Sequence, residues 1–174
     1  MKTPTNIVQQ PATESVPHDP RWQLELKDVQ IPTNTANGRI LARAFQLQRA
    51  TIQNGTFALR QGPTWPPDVG VTILLPQRPA EDYAGKQFLI ATNYSGKAPR
   101  VVLRIKDDQQ KEVTTGFPKG YAMKLEFGQV ADGRLPGQIY LCTPDPAKSV
   151  VVGNFSAEIR KPNPPKSHKP ATPK

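Results

Sequence analysis

The sequence predicts an all-β protein, an antiparallel two-sheet sandwich of immunoglobulin-like or jelly-roll-like type with about eight to ten strands. Three observations support this prediction. Apolar and polar residues alternate along several short runs, turn signals separate these runs, and no window shows the apolar spacing of an amphipathic helix. The chain also lacks an internal repeat, which argues against a propeller or a solenoid.

Period-two alternation marks the individual strands, because successive side chains of a strand point to opposite faces of the sheet. The predicted inward rows are Tyr121, Met123, Leu125 and Phe127; Trp22, Leu24 and Leu26; Val69, Val71, Ile73 and Leu75; Phe88 and Ile90; Val101, Leu103 and Ile105; and Phe155, Ala157 and Ile159. In the first of these rows, Lys124 and Glu126 occupy the alternate positions and are expected to face solvent.

Turn signals lie between the runs. Asn54–Gly55 is the strongest, since a type I′ hairpin turn needs positive φ at both central residues. This turn places Ile52 beside Phe57 on the buried face, and the same register sets Arg49 opposite Arg60. Further predicted turns are Asn37–Gly38, Asp132–Gly133 and residues 143–146.

Proline divides the chain into three parts. The 174 residues include 20 prolines, which are concentrated near the two ends. Residues 1–20 are predicted to be a disordered Pro-rich segment, residues 21–160 the β-sandwich domain, and residues 161–174 a disordered, basic, Pro-rich tail.

Residue types that enzymes and metal sites commonly need are scarce. Both histidines, His18 and His168, lie in the predicted terminal segments, and Cys142 is the one cysteine. A catalytic triad needs a positioned imidazole, and a structural zinc site needs several nitrogen or sulfur ligands. The sequence therefore predicts a protein that is not an enzyme and that holds neither a metal nor a cofactor.

A net charge of +9 favours an acidic partner, although a basic surface also serves solubility. The predicted tail contains no acidic residue, and its lysines are Lys161, Lys166, Lys169 and Lys174. We expect it to contribute to binding an acidic surface or glycan through charge. Nucleic acid is not expected as a partner, because Arg104 and Lys106 face outward on one predicted strand without an aromatic residue in that strand.

Residues 61–68 form the most suggestive loop, because a tryptophan lies among three prolines. A stiff loop loses little entropy on binding, and an aromatic ring stacks on sugars, prolines or bases. Trp65 either presents its ring to a ligand or folds back to cap one open end of the sandwich. The candidate binding residues are Trp65, Pro66, Pro67, Asp68, Tyr83 and Tyr94.

Several segments are similar to an uncharacterised bacterial β-sandwich domain family. They read NGTFALRQG, PPDVGVTILL, GYAMKLEFG, LPGQIYLCTPD and AKSVVVGNFSAEIR, and the resemblance covers roughly residues 21–161. The resemblance implies a β-domain without an associated activity, so it assigns no functional residue.

The leading hypothesis is a non-enzymatic binding or structural module that acts in a larger assembly, with a protein partner, through sheet edges, end loops and the basic tail. The alternative is a carbohydrate-binding module that uses Trp65 and nearby tyrosines. No apolar run is long enough to span a membrane, and no signal peptide is visible. These observations fit a cytoplasmic protein, and they equally fit an envelope-associated one if the export signal is missing from this chain, so no compartment is assigned.

Overall fold

The structure, a computed structural model, describes residues 18–161 and is all-β there, which confirms the predicted fold class. Its eleven strands are β1 (Asn37–Ile40), β2 (Arg43–Gln46), β3 (Arg49–Gln53), β4 (Thr56–Gln61), β5 (Val69–Leu74), β6 (Gln87–Ile90), β7 (Arg100–Lys106), β8 (Glu112–Phe117), β9 (Ala122–Phe127), β10 (Arg134–Cys142) and β11 (Val150–Ile159). Ala80–Tyr83 forms one turn of 3-10 helix. Within residues 18–161, no helix is long and apolar enough to cross a membrane.

Hydrogen bonds join these strands into one open, curled sheet. Nine strands follow the order β6-β9-β10-β11-β3-β4-β5-β7-β8, and β1 pairs with both β11 and β2. Each pair is antiparallel except β11 with β3, which is parallel. The predicted antiparallel arrangement is therefore correct for all but one pair, while the division into two separate sheets is not confirmed.

The curl brings distant strands together around the core. Phe57 on β4 lies 5.6 Å from Phe127 on β9, measured between ring centres, although four steps of the strand order separate these strands. Phe57 also contacts Phe155 at 4.8 Å, and its side chain is fully buried. Burial of a side chain of this size stabilises the fold by roughly 1.5–3 kcal/mol. The concave face of the sheet therefore holds the main hydrophobic core.

The β3–β4 hairpin has the predicted register. Ile52 pairs with Phe57, and Arg49 pairs with Arg60. Gly55 has a φ of 87°, and a Cβ atom there would lie 2.6 Å from the carbonyl oxygen of Leu75. The Asn-Gly pair thus provides both the positive φ and the space that the turn requires.

The predicted turn at Asn37–Gly38 is wrong, because these residues begin β1. The chain instead reverses at Leu41 and Ala42, whose φ values are 48° and 68°. A Cβ atom at Gly38 would lie 1.9 Å from the carbonyl oxygen of Val150, so the glycine permits close approach of β1 to β11. Here a glycine marks strand packing, and the turn is made by residues that carry no turn signal.

Residues 22–31, called the strap below, are not the strand that their alternation predicts. The strap crosses the outer face of β10 and β11. There its apolar residues pack on a second cluster, which consists of Tyr140, Cys142, Val150 and Val152. Gln23 and Glu25 face solvent, whereas Trp22 and Leu24 are half-buried. An extended segment lying on a sheet has one buried side, so it shows the same alternation as a strand.

Candidate functional site

A groove of about 570 Å³ crosses the outer face of β3, β4, β5 and β7. Its lining residues are Thr51, Gln53, Asn54, Thr56, Ala58, Arg60, Trp65, Thr72, Leu74, Gln77, Arg104 and Arg160. The strand positions among them alternate with core residues such as Ile52, Leu59 and Leu103. The groove is therefore built from the side chains that the strand pattern turns away from the core.

The loop that carries Trp65 is fixed at both of its ends. The amide of Asp68 donates to the carbonyl of Gln61 at 3.0 Å, and the amide of Gly62 donates to Oε1 of Gln48 at 2.9 Å. The carboxylate of Asp68 also lies 3.2 Å from Nζ of Lys106. Asp68 thus serves as an anchor that ties the end of the loop to β7.

Gly70, which has no side chain, lets this loop lie close to the sheet. Arg60, Gly70 and Arg104 are paired across β4, β5 and β7, so their side-chain positions share the outer face. A Cβ atom at Gly70 would lie 3.1 Å from Cγ of Pro67, and Pro67 is buried. Glycine in the middle of this row therefore leaves the space that Pro67 fills.

The indole of Trp65 is held above the groove and remains 55% exposed. The guanidinium carbon of Arg104 lies 5.3 Å from the centre of the ring, a cation–π distance. Nη1 of Arg104 is also hydrogen-bonded to the carboxylate of Glu112 on β8. The ring is therefore positioned by its neighbours while more than half of its surface faces solvent.

Positive charge is concentrated at the groove. Arg49 is paired with Glu158 at 3.0 Å, and this contact lowers the pKa of the Glu158 carboxyl. Arg60, its cross-strand neighbour, has no carboxylate partner among residues 18–161. Burial, followed by the charges of Arg49 and Arg160, lowers the pKa of Arg60. Because a guanidinium stays protonated, this direction reports a charge held at an electrostatic cost.

The lining of the groove consists mainly of hydroxyl, amide and guanidinium groups. Among the described residues that line it, none carries a carboxylate, an imidazole or a thiol. Such groups are the usual general acids, bases and nucleophiles of enzymes. No group of three or more potential metal ligands occurs in the range 18–161. The hydroxyl, amide and guanidinium groups that are present donate and accept hydrogen bonds.

The structure distributes the predicted site residues unevenly. Trp65 lines the groove, Pro66 is half-buried behind a cis Trp65–Pro66 peptide bond, and Pro67 and Asp68 shape the loop. Tyr83 is 2% exposed and donates its hydroxyl to the carbonyl of Pro76, so it offers no ring for stacking.

Tyr94 is 43% exposed but is not among the groove residues. Its loop enters β7 at Arg100, which pairs with Leu74 at the end of β5. The loop that carries Trp65 enters the opposite end of β5, at Val69. The structure therefore does not bring these two aromatic rings together in one site.

The basic tail leaves the described part of the chain beside the groove. Arg160 lines the groove, its amide donates to the carbonyl of Ile52 at 2.9 Å, and Lys161 follows it with an exposed side chain. The remaining tail lysines, Lys166, Lys169 and Lys174, lie outside residues 18–161, as do residues 1–17 of the predicted N-terminal segment. The sequence therefore continues the positive charge of the groove into the tail.

The arginines are the part of the site that the sequence did not single out. The register of the β3–β4 hairpin places Arg60 on the outer face, and alternation places Arg104 there too. Both positions could be obtained from sequence, whereas the position of Trp65 over Arg104 depends on the path of the loop. β7 contains no aromatic residue, as predicted, and the ring beside Arg104 comes from the loop that carries Trp65.

Comparisons of this chain with protein-family models, with curated proteins and with solved structures find no match. The resemblance to an uncharacterised bacterial β-domain family therefore stays a prediction, and the site is interpreted from its own geometry.

Proposed function

We propose that this protein is a non-enzymatic binding module that holds its ligand in the outer-face groove as part of a larger assembly. The observation that carries this proposal is the exposed indole of Trp65, which is held over a groove by Arg104. An indole that is exposed and fixed in place offers a flat apolar face on which a ligand can stack. The absence of carboxylate, imidazole and thiol groups from the groove lining supports a role without catalysis.

Attachment to an assembly would use the ends of the sheet. β6 and β8 are the terminal strands of the strand order, and each carries an exposed apolar residue, Leu89 and Val113. An edge strand offers unpaired backbone groups to a partner strand. The finer architecture, a two-sheet sandwich, is part of this proposal, and the contact of Phe57 with Phe127 across the curl supports it.

A carbohydrate is the second candidate ligand class. It is favoured by the combination of one exposed indole with amide and hydroxyl groups, such as those of Gln53, Thr56 and Gln77. Sugar rings stack on indole faces, and their hydroxyls pair with groups of this kind. The predicted contribution of tyrosines to this site is left out of the proposal, since Tyr83 is buried.

Arrays of immobilised oligosaccharides and peptides test the proposal with three proteins. We expect the unaltered chain to retain ligands that Trp65→Ala loses. Tyr94→Ala removes another exposed aromatic residue away from the groove and is expected to bind as the unaltered chain does. Equal loss in both variants, or no loss in Trp65→Ala, would contradict the proposal, and so would conversion of a bound ligand into product.

A further inference from the structure

We propose that the ligand of the groove is an acidic glycan, a chain of sugars that carries carboxylate or sulfate groups. This inference rests on the proposed function, since it names the ligand class of the same groove. It assigns Trp65 to stacking on a sugar ring, and Arg60 and Arg160 to pairing with the acidic groups.

Two arginines of the groove carry positive charges that are not paired with a carboxylate of the described residues. Among the residues that the structure describes, Arg60 and Arg160 have no carboxylate partner, and the groove lining contains no acidic residue. Nε of Arg60 and Nε of Arg104 are buried without a hydrogen-bond partner. A guanidinium is a fixed donor that fits a carboxylate or sulfate, so an anion would pair with the charges of Arg60 and Arg160.

Positively charged arginines lie close to one another at the groove. Arg49 faces Arg60 across the hairpin, and the charges of Arg49 and Arg160 both contribute to the lowered pKa of Arg60. Glu158 offsets part of this repulsion through its pair with Arg49. An anionic ligand would relieve the remaining repulsion, which a neutral ligand would leave unchanged.

The floor of the groove favours a glycan over a peptide as the ligand. β4 and β5 form the floor of the groove and are paired on both sides, so their backbone groups are already engaged. A bound peptide commonly adds a strand at a sheet edge, and the floor offers no such edge. The lining instead offers hydroxyl and amide side chains, including Thr51, Thr56 and Gln77, to which sugar hydroxyls can bond.

The aromatic content of the groove favours a glycan over a nucleic acid as the ligand. Proteins that bind single strands stack successive bases on several aromatic side chains. Trp65 is the one aromatic residue among the described groove residues. One ring serves one sugar of a chain, while the acidic groups of neighbouring sugars reach Arg60 on one side and Arg160 near the end of β11.

Isothermal titration calorimetry of the full chain tests the inference. The probes are hexagalacturonate, a sulfated hexasaccharide, neutral maltohexaose, polyglutamate and a single-stranded oligonucleotide. We expect Arg60→Gln and Arg160→Gln each to weaken binding of an acidic hexasaccharide by about tenfold, the loss typical of one charge-assisted hydrogen bond. We expect Trp65→Ala to weaken it by a similar factor. The two acidic probes distinguish carboxylate from sulfate recognition.

Lys119→Gln is the matched control, because it removes one exposed positive charge between β8 and β9, outside the groove. It is expected to change the affinity by less than about twofold, as a distant screened charge would. Arg160 is exposed, so its variant remains informative if Arg60→Gln fails to fold.

Four results would overturn the inference. They are equal affinity for maltohexaose, tighter binding of polyglutamate or the oligonucleotide, an equal loss in Lys119→Gln, and no binding of either acidic hexasaccharide. Maltohexaose binding that depends on Trp65 but not on the arginines would overturn the acidic class alone and leave the groove as the binding surface. Failure of the proposed function itself would appear as ligand binding that Trp65→Ala leaves unchanged.

Discussion

The outer surface of the curled sheet has two regions of opposite character. At the end of β10 and the start of β11 it is apolar, and the strap covers it there. On β3, β4, β5 and β7 it presents hydroxyl, amide and guanidinium groups, and it forms an open groove. The strap packs on the outward apolar cluster of β10 and β11, whereas the ring of Trp65 in the open region stays exposed.

The two tryptophans show the same contrast. Trp22 lies half-buried on the covered region, where Nε1 donates to the carbonyl of Thr143 at 2.9 Å. Nζ of Lys148 lies 5.1 Å from its ring centre. Trp65 on the open region is 55% exposed, and the guanidinium of Arg104 lies over its ring. We infer that the first ring serves stability and the second serves binding.

The concave core sets the scale for both outer regions, and Leu125→Ala is expected to have the largest effect. Leu125 is fully buried, so its truncation should lower the free energy of unfolding by roughly 2–5 kcal/mol. Lys124→Ala on the same strand should change it by less than about 0.5 kcal/mol. Urea denaturation measures both, and equal losses would contradict the assignment of inner and outer faces.

On the covered region, Trp22→Ala should lower the free energy of unfolding by about 2–3 kcal/mol. The variant loses the packing of the ring on the second cluster and the hydrogen bond to Thr143. Gln23→Ala, one residue further on the solvent side of the strap, should cause little change. The comparison between covered and open regions fails if Trp22→Ala is as stable as the unaltered chain.

The covered region should also shield its thiol. Cys142 is fully buried, and burial raises the pKa of its thiol, so little of the reactive thiolate is present at neutral pH. A Trp22→Ala/Leu24→Ala variant should open the strap and increase the rate of reaction with a disulfide reagent at least tenfold, an order-of-magnitude expectation for an exposed thiol. Gln23→Ala/Glu25→Ala is the control, and an unchanged rate in the first variant would show that the strap does not protect Cys142.

The smallest effect concerns an ion pair just before the strap. Nη2 of Arg21 lies 2.6 Å from the carboxylate of Asp19, and this bond lowers the pKa of Asp19. The pair therefore stabilises the fold fully above the ordinary pKa of aspartate, and the contribution disappears as the pH falls through the lower folded value.

Asp19→Asn should cost less than about 1 kcal/mol at pH 7, and the difference from the unaltered chain should shrink towards about pH 3. Denaturation curves at several pH values measure this difference. A difference that stays constant or grows as the pH falls would contradict the role of the ion pair.

Local rules allowed much of the sheet to be predicted. The β3–β4 hairpin has the register that Asn54–Gly55 predicts, because the turn type fixes the pairing. Met123 and Leu125 are buried, as their alternation predicts. The run of residues 100–106 likewise forms a strand that turns Arg104 outward.

Features that depend on distant contacts were not predictable. The parallel pairing of β11 with β3 joins segments about a hundred residues apart, and local patterns do not encode such a pairing. The strap and a true strand share one alternation, so their sequences do not distinguish them. The place of Trp65 likewise depends on the gap at Gly70 and on the tie between Asp68 and Lys106.

We infer that the covered region serves stability and the open region serves binding, and a comparison of the two tryptophans tests this division of roles. Trp22→Ala and Trp65→Ala are compared in one urea denaturation series and one calorimetric titration with hexagalacturonate. We expect Trp65→Ala to lower the free energy of unfolding by less than about 1 kcal/mol, the value of an exposed cation–π contact, and to weaken binding about tenfold. We expect the reverse for Trp22→Ala, which should lose stability and keep its affinity at urea concentrations below its unfolding transition. A Trp65→Ala protein that is as destabilised as Trp22→Ala and that binds with unchanged affinity would contradict this division of roles.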